Sequence, residues 1–235
     1  MKIFMLWSQG WEQAPELCRR CADSWVEKNP DHEVVKLDDQ SVEDYLPDLR
    51  SQFPFIDGLR KSHQSDIIRA LLLQKHGGVW ADATLFCLQP VSKWLPDRKA
   101  GALLTFTFPW SVKMLTYPAI YKASSWFLYS EADGYCINKL VPALKEAFAE
   151  PQPRYFTFHK ELDYLITKDK EFRNLWAPSL QLSGYDALAF QTNKTMSGGV
   201  PPLARKLKRD GFPVFKLTYK GNLSNKSRVL DFLEE

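Results

Sequence analysis

The sequence predicts an α/β protein built on an open, mostly parallel central sheet that is flanked by helices. Short apolar runs alternate along the chain with segments whose apolar residues recur at helical spacing. The chain also opens with the order strand, helix, strand, which favours two parallel strands joined by a crossover. With 235 residues and 45% hydrophobic content, the chain is long enough to bury one substantial core, so we expect a single domain over 1–235.

The first third of the chain supplies the opening strand, helix and strand. The run "KIFMLW" at 2–7 is typical of a buried strand, and a polar turn follows it. A helical pattern begins near Pro15, which suits a first-turn position. The run "HEVVKLD" at 32–38 predicts the second strand, and 39–60 predicts short helices or loops.

The stretch "SDIIRALLLQKHGGVWADATLFCLQP" predicts a helix that runs directly into a strand. We expect the helix to begin at Ser62 and to end at Gly77, where a left-handed residue is wanted. A strand is expected at 78–88, and Asp82 interrupts its apolar character at or just beyond a strand end. Ligands of open α/β sheets bind at the carboxyl ends of strands, which makes this aspartate a candidate site residue.

The remainder of the chain continues the alternation of strands and helices. The apolar and β-branched runs predict three further strands, and two segments have helical spacing. The strands are expected at 101–108, 124–130 and 213–219, and the helices at 135–149 and 159–175.

Charge and hydropathy restrict the partners of the protein. The formal charge of +3 is too small to indicate general nucleic-acid binding, but the last thirty-five residues hold eight Lys/Arg against four Asp/Glu. We see no secretory leader and no apolar run near the ~18 residues that cross a bilayer. We therefore expect a cytoplasmic protein whose basic C-terminal segment could rest on a membrane surface.

Four cysteines are scattered through the chain, and two of them form a CxxC pair. Cys18 and Cys21 lie inside the predicted first helix near its apolar side, whereas Cys87 and Cys136 are isolated. A four-thiolate zinc site would need a second pair, and a redox pair usually sits at the first turn of a helix. We expect buried, reduced thiols, with a redox role as a distant alternative.

Four polar residues are predicted to converge at one lip of the sheet. Asp66 and Arg69 are spaced i, i+3 and share a helix face, while Asp82 and Thr84 are two apart and point to one side of a strand. Each could be explained without function, Asp66 and Arg69 as a surface ion pair and Asp82 as a turn cap. A carboxylate among apolar strand residues is costly, however, unless a cation, a metal or a ligand hydroxyl satisfies it.

The pattern "SDIIRALLLQKHGGVWADAT" resembles the S-D-x-x-R…G-G-x-[YW]-x-D-x-[DT] signature of glycosyltransferase family 32 and its relatives. It is most similar to the bacterial capsular polysaccharide synthesis proteins, in which the motif reads "GGVW-x-DAT". The opening "LWSQGWEQAPELCRRCADSW" and the later "SSWFLYS" and "FKLTYK" also resemble that family.

The resemblance implies a GT-A type, Rossmann-like enzyme that transfers a hexose from a nucleotide-diphosphate sugar, most simply a UDP-sugar, with retention of configuration. It also implies a bacterial surface glycan or its lipid-linked precursor as acceptor. Residues 1–90 would bind the donor and residues 91–235 the acceptor.

Site roles follow from the matching positions. Asp66 and Arg69 would hold donor sugar hydroxyls, and Asp82 would contact the ribose, the sugar or a metal. Trp7 would stack on the base, with Gln9 and Gly10 beside it in the turn.

A Mn²⁺ or Mg²⁺ ion is implied at Asp82 and Thr84. The wider motif's second carboxylate, the usual direct ligand of such an ion, is Thr84 here, and a neutral hydroxyl is a weaker ligand for a hard dication.

The chemistry of donor cleavage nominates further residues. Negative charge develops on the leaving diphosphate, and Lys216 and Lys220 are candidates to stabilise it, although both could be solvated surface charges. Four residues are candidate contacts of the acceptor, with ordinary packing or a structural hydrogen bond as alternatives: Ser125, Trp126, His159 and Asp163.

Two other functions stay open. A sugar nucleotidyltransferase would be expected to carry a Gly-rich basic loop after the first strand, and "SQGWEQ" has one glycine and no base. A carbohydrate-binding or assembly protein that has lost turnover is compatible with Thr84.

Overall fold

The main sheet of the protein has six strands in the order β2-β1-β3-β6-β5-β7. The computed structural model describes residues 1–97, 99–108, 121–176, 180–191, 200–220 and 224–235. Within these ranges β1 is parallel to β2 and β3, β5 is parallel to β7, and β6 is antiparallel to β3 and β5. The six strands are β1 (Lys2–Leu6), β2 (Glu33–Leu37), β3 (Gly78–Ala81), β5 (Leu103–Thr107), β6 (Ala123–Ser130) and β7 (Leu180–Ser183). The expected open, mostly parallel α/β sheet is confirmed.

A second, two-stranded sheet lies next to the carboxyl end of β3. It pairs β4 (Leu85–Cys87) antiparallel with β8 (Val214–Lys216). The helices that the structure describes are α1 (Glu16–Lys28), α2 (Val42–Tyr45), α3 (Leu49–Gln52), α4 (Lys61–His76), α5 (Val91–Trp94), α6 (Tyr135–Phe148), α7 (Thr157–Lys168), α8 (Lys170–Trp176), α9 (Gly184–Ala187), α10 (Pro202–Arg209) and α11 (Ser224–Glu234).

The main sheet is buried on both faces because its side chains alternate between two apolar clusters. Ile3 and Met5 of β1 belong to the cluster that contains the buried side of α1. Phe4, from the same strand, and Trp80 of β3 belong to the other cluster, with α4, α6 and α7. Helices therefore cover both faces, and ligands can reach the sheet at the ends of its strands.

Two glycines make the sharp connection between α4 and β3. Gly77 ends the helix with φ 63°, and Gly78 starts the strand with φ 100°, both in the left-handed region. A Cβ atom at Gly78 would also meet the carbonyl oxygen of Lys2 on β1. This turn sets α4 directly against the strand that leads to Asp82.

The predicted strand at 78–88 is wrong in its continuity. β3 ends at Ala81, and a turn follows in which Leu85 N donates to the carbonyl oxygen of Asp82 at 2.9 Å. The chain then enters β4 and the second sheet. Asp82 and Thr84 thus lie on a turn at the carboxyl end of β3, where the half-buried carboxylate of Asp82 is near polar partners.

The other differences concern the second half of the chain. The single helix expected at 159–175 is two helices, α7 and α8, separated at Asp169. Asp169 accepts a hydrogen bond from Phe172 N at 3.0 Å and so caps α8. Strand β7 and helices α5, α9, α10 and α11 had no counterpart among the sequence predictions. Among the described residues, no helix is long and apolar enough to span a membrane.

The cysteines are packing residues, as expected. All four are free and buried. Burial raises the pKa of the Cys18 thiol to about 11 and also raises the pKa of Cys21. A redox-active pair needs a lowered thiol pKa, so the environment of this CxxC is the opposite of the one that redox chemistry uses.

Candidate active site

A cavity of about 650 Å³ opens at the carboxyl ends of β1 and β3. Its walls come from the turn after β1, from α4, from the turn after β3, from the start of β6, from α7 and from the end of β8. The cavity is lined by most of the residues that the sequence nominates: Trp7, Gln9, Asp66, Arg69, Asp82, Thr84, Ser125, Trp126, His159, Lys216 and Lys220.

Arg69 is the centre of the hydrogen-bond network in this cavity. Its Nη1 lies 2.7 Å from Asp66 Oδ1 and donates to the carbonyl oxygen of Ser125 at 3.0 Å. Its Nη2 donates to Ser65 Oγ at 3.1 Å and to Asp82 Oδ1 at 3.4 Å. Asp66 and Arg69 are only 7% and 5% exposed, so the surface ion pair considered from the sequence is excluded.

Aromatic side chains hold the guanidinium group in place. Arg69 lies over the Trp80 ring at 5.1 Å and over the Phe158 ring at 5.7 Å. Its Nε is buried and has no hydrogen-bond partner among the described residues. The side chain is therefore fixed between two rings and two carboxylates, which suits a group that orients a ligand.

Two further donors, besides Arg69, contact the carboxylate of Asp82. Trp80 Nε1 donates to Oδ1 at 2.9 Å, and Lys216 Nζ donates to Oδ2 at 2.7 Å. Its backbone N donates to the carbonyl oxygen of Trp126 on β6 at 2.9 Å. Lys216 Nζ also donates to Thr84 Oγ1 at 2.6 Å. Asp82 and Thr84 therefore converge, as predicted, and the group between them is an ammonium.

The two carboxylates have opposite pKa shifts. Burial would raise the pKa of Asp82, but the charges of Lys216 and Arg69 outweigh it and hold that pKa below its usual value. Burial raises the pKa of Asp66 to about 7, although Arg69 opposes the rise. At neutral pH, Asp82 is ionised and Asp66 titrates, so one carboxylate is a fixed charge and the other can donate or accept.

His159 lies in the wall of the cavity as a neutral imidazole. Burial and then the charge of Arg69 lower its pKa to about 4. The ring is within 5.3 Å of the Tyr121 ring and 5.4 Å of the Phe156 ring, measured between centroids. Its Nδ1 has no hydrogen-bond partner among the described residues.

Two nominated residues lie outside the cavity wall. The expected pair of His159 and Asp163 does not form, because Asp163 Oδ1 accepts a hydrogen bond from Lys122 N at 3.1 Å and fixes the start of β6. Gly10 is in the turn behind the wall, where its N donates to the carbonyl oxygen of Trp7 at 2.9 Å. For Asp163, the structure thus shows the structural hydrogen bond that the sequence left open as the alternative.

Several aromatic wall residues were not nominated from the sequence. Tyr219 makes an edge contact with Trp7 at 5.3 Å between ring centroids, and Tyr121, Tyr155 and Phe156 also line the cavity. Tyr219 lies between Lys216 and Lys220 in "FKLTYK", so its position near the two nominated lysines was a usable signal. No comparable signal separates the other three from ordinary core aromatics.

The residues near Asp82 do not fit the implied divalent metal. A hard dication prefers several carboxylate or carbonyl oxygens, and Asp82 is the one carboxylate at this turn. Within the described ranges, no group of three or more His, Cys, Asp or Glu side chains could hold a metal ion. The ammonium of Lys216 already donates hydrogen bonds to both proposed ligand oxygens, Asp82 Oδ2 and Thr84 Oγ1. These oxygens therefore bind a lysine side chain in this structure.

The arrangement offers two kinds of chemistry in one cavity. The carboxylates of Asp66 and Asp82 can accept hydrogen bonds from hydroxyl groups, and Arg69 can donate to them. Lys216 and Lys220 supply positive charge for an anionic group such as a phosphate. Hydroxyl recognition beside phosphate recognition suits a phosphorylated sugar.

The chain matches the family model described as "Capsular polysaccharide synthesis protein" over residues 1–234. Two curated relatives match shorter stretches. "Putative glycosyltransferase HOC1" of Saccharomyces cerevisiae is 29% identical over 103 residues, which cover 41% of this chain and 25% of that protein. "Initiation-specific alpha-1,6-mannosyltransferase" of Candida albicans is 26% identical over 104 residues, covering 41% of this chain and 27% of that protein. The chain thus spans about a quarter of the length of these relatives.

Among solved structures, the protein titled "PaToxG Glycosyltransferase" superimposes with a TM-score of 0.51 at 14% identity. The similarity covers 74% of this chain and 72% of that one. It supports the GT-A type fold that the sequence led us to expect.

Proposed function

Because the chain belongs to the capsular polysaccharide synthesis protein family, we propose that it is a glycosyltransferase that moves a hexose from a nucleotide-diphosphate sugar to a glycan acceptor. The observation that carries this proposal is the convergence of Asp66, Arg69, Asp82 and Lys216 in one cavity at the carboxyl ends of β1 and β3. Hydroxyl-binding and phosphate-binding groups are adjacent there, as a sugar diphosphate requires.

The cavity suggests one orientation for the donor. The nucleotide base stacks on Trp7 and Tyr219, which form an aromatic corner beside the turn after β1. The diphosphate lies near Lys216 and Lys220, and the sugar hydroxyls meet Asp66 and Arg69. Asp82 connects the two regions because it bonds both Arg69 and Lys216.

Charge development during donor cleavage explains why these groups would accelerate transfer. The leaving diphosphate gains negative charge as the sugar–oxygen bond breaks, and Lys216 is fixed beside it by its bonds to Asp82 and Thr84. An ammonium group that is already oriented stabilises the charge of the transition state without having to reorganise during the reaction. The sugar gains oxocarbenium character, which the carboxylate of Asp82 stabilises.

We propose that transfer retains the configuration of the anomeric carbon and that the donor is a UDP-hexose. Both proposals rest on the resemblance of "SDIIRALLLQKHGGVWADAT" to retaining enzymes. The relative from Candida albicans is named as a mannosyltransferase, so a mannosyl donor is the first alternative.

The acceptor is proposed to approach along α7. A second cavity of about 720 Å³ shares Tyr121, Tyr155 and Phe156 with the first, and it continues to Tyr164, which is 58% exposed. Exposed aromatic rings are suitable platforms for sugar rings because they combine an apolar face with a polar edge. We propose a bacterial surface polysaccharide or its lipid-linked precursor as the acceptor.

A lipid-linked acceptor would bring the protein to the cytoplasmic face of a membrane. Helix α10 carries an exposed set of cations, including Arg205, Lys206 and Arg209, next to the exposed side chain of Leu203. Such a face binds anionic lipid by charge, with a small apolar contribution. We propose it as the peripheral membrane contact.

A carbohydrate-binding protein without turnover is the second candidate. Thr84 favours it, because the hydroxyl stands where related motifs carry a second carboxylate. In that case the cavity would bind a nucleotide sugar, and no bond would be broken.

A turnover assay with an isosteric variant separates these functions. Release of UDP or GDP is measured from a panel of nucleotide sugars, with and without Mn²⁺, for the wild type and for Asp82→Asn. We expect the wild type to turn over one donor family and Asp82→Asn to lose at least about 100-fold in kcat. NMR of the product then gives the anomeric configuration.

Asp163→Asn is the matched control, because Asp163 is outside the cavity wall and its carboxylate accepts a structural hydrogen bond. It should leave kcat within about twofold of the wild-type value. Binding of a donor without release of nucleotide would favour the carbohydrate-binding protein. Equal losses in both variants would remove the assignment of the site.

A further inference from the structure

We propose that the ammonium group of Lys216 takes the place of a divalent metal, so that the protein binds and uses a nucleotide-diphosphate sugar without Mn²⁺ or Mg²⁺. This inference rests on the proposed function and names the group that neutralises the diphosphate. The ammonium group would stand in place of the ion that the sequence led us to expect at Asp82 and Thr84.

The first support is the position of the ammonium. Lys216 Nζ lies 2.7 Å from Asp82 Oδ2 and 2.6 Å from Thr84 Oγ1, and its side chain is only 15% exposed. These two oxygens are the atoms that the family motif would offer to a metal. An ion at the same oxygens would have to displace the ammonium or lie beside it, where like charges repel.

The backbone fixes the lysine at this position. Lys216 is the last residue of β8 and is paired with Leu85, directly after the turn that carries Asp82 and Thr84. The next residue, Leu217, donates its N–H to the carbonyl oxygen of Thr84 at 2.8 Å. The second sheet therefore holds the amine-bearing strand against the aspartate-bearing turn, so the contact is built into the fold.

The chemistry of the partners also favours an amine. A lysine ammonium has three N–H donors, and the contacts described for Lys216 use two of them, on Asp82 and Thr84. The third N–H is left for an oxygen of the diphosphate. A hydroxyl at position 84 accepts one hydrogen bond from the ammonium without neutralising it.

The charge balance of the buried groups explains why a hydroxyl is preferable to a second carboxylate here. Arg69 and Lys216 carry two positive charges, and Asp66 and Asp82 carry at most two negative ones. Burial raises the pKa of Asp66 to about 7, so this group is partly protonated near neutral pH. The site is then slightly positive before Lys220, which also lines the cavity, is counted. A carboxylate at position 84 would cancel the charge that the diphosphate needs.

The wild-type protein provides the primary test. Binding of UDP and GDP is measured by calorimetry in EDTA and again in Mn²⁺, and turnover of the donor is measured under both conditions. Binding of Mn²⁺ alone is followed by electron paramagnetic resonance. We expect affinity and turnover to agree within about twofold between the two conditions, and no stoichiometric Mn²⁺ binding to the free protein.

A variant then assigns the effect to the lysine. Lys216→Met removes the charge while keeping much of the apolar stem, and it should weaken UDP or GDP binding in EDTA by at least tenfold. Binding of the uncharged nucleoside should change little, because Lys216 is proposed to contact phosphate. Lys168→Met, at an exposed position at the end of α7, is the control and should leave both affinities unchanged.

The possible results separate this inference from the function on which it rests. Nucleotide binding or turnover that disappears in EDTA and returns with Mn²⁺ would overturn the inference and leave the glycosyltransferase proposal standing. Unchanged UDP and GDP affinity in Lys216→Met would also overturn it. The absence of any nucleotide binding or turnover, with metal or without, would overturn both.

Discussion

Replacing Arg69 with methionine should destabilise the protein to an extent that depends on pH. The guanidinium bonds Asp66, Asp82 and the Ser125 carbonyl oxygen, and its side chain is 6% exposed. Methionine fills much of the same space between Trp80 and Phe158, so the change removes charge and hydrogen bonds with little loss of packing. The result measures how strongly the site depends on its central cation.

The magnitude follows from two contributions. At pH 5.5 the main loss is that of charge-assisted hydrogen bonds such as the one to Ser125, about 2 to 3 kcal/mol. The second contribution is the titration of Asp66, whose pKa is raised from 3.8 to about 7 by burial despite the opposing charge of Arg69. The native state therefore holds a proton that the unfolded state has lost, and the free energy of unfolding falls as pH rises between these two values.

Above pH 7 the wild-type protein and the variant should diverge. In the wild type the decline caused by Asp66 ends near its native pKa. Without Arg69 that pKa is higher, so the decline continues at about 1.4 kcal/mol per pH unit. At pH 8.5 the extra cost is about 2 kcal/mol, which gives a total of about 4 to 5 kcal/mol, consistent with removing one partner from a buried ion pair.

Urea unfolding followed by circular dichroism at pH 5.5 and pH 8.5 measures these quantities. The double variant Arg69→Met with Asp66→Asn is the control. It should lose the pH-dependent contribution to the destabilisation and keep the contribution from the lost hydrogen bonds. A cost for Arg69→Met below about 1 kcal/mol would mean that the site does not depend on this cation, and an equal cost at both pH values would mean that Arg69 does not control the titration of Asp66.

Three further predictions concern binding. Trp7→Ala should weaken UDP or GDP binding by about tenfold in calorimetry, because the aromatic corner loses one face, and an unchanged affinity would place the base elsewhere. Tyr164→Ala should raise KM for a glycan acceptor by about tenfold while kcat and donor KM stay constant, and equal effects on donor and acceptor would contradict the acceptor route. Reversing charge on α10 with Lys206→Glu and Arg209→Glu should abolish co-sedimentation with vesicles that contain phosphatidylserine, because each cation contributes about 1 kcal/mol to binding of an anionic membrane. Turnover of the sugar donor should stay unchanged, and co-sedimentation at wild-type levels would rule out this contact.

The local parts of the fold could be predicted from the sequence. Gly77 and Gly78 predicted the end of α4 and the start of β3, because φ values in the left-handed region are accessible to glycine. The i, i+3 spacing of Asp66 and Arg69 likewise gave their shared face and their ion pair. These features depend on neighbours within one or two turns of the chain.

The end of a strand near Asp82 was expected, but the change of sheet that follows it could not be predicted, because its cause lies far away in the chain. β4 leaves the main sheet to pair with β8, whose residues are about 130 positions later. A continuous apolar run such as 78–88 gives no sign of a change of sheet. The same long-range pairing brings Lys216 to Asp82, so the motif alone gave no sign of the contact from which we propose an amine in place of a metal.

The failure of the pair of His159 and Asp163 has a similar origin. The i, i+4 spacing allowed a contact, but the start of β6 offers Lys122 N to the carboxylate at 3.1 Å. A part-buried backbone N–H needs an acceptor, and Asp163 supplies it. Helical spacing predicts which side chains can meet, and tertiary neighbours decide which of them do.

A structure of the protein with a nucleotide-diphosphate sugar bound would show directly whether this cavity holds the sugar donor. We expect diphosphate oxygens within about 3.2 Å of Lys216 Nζ and sugar hydroxyls at the same distance from Asp66 or Arg69. The proposed site would be wrong if the nucleotide sugar bound outside this cavity, or if its phosphates did not contact Lys216 and its sugar contacted neither Asp66 nor Arg69.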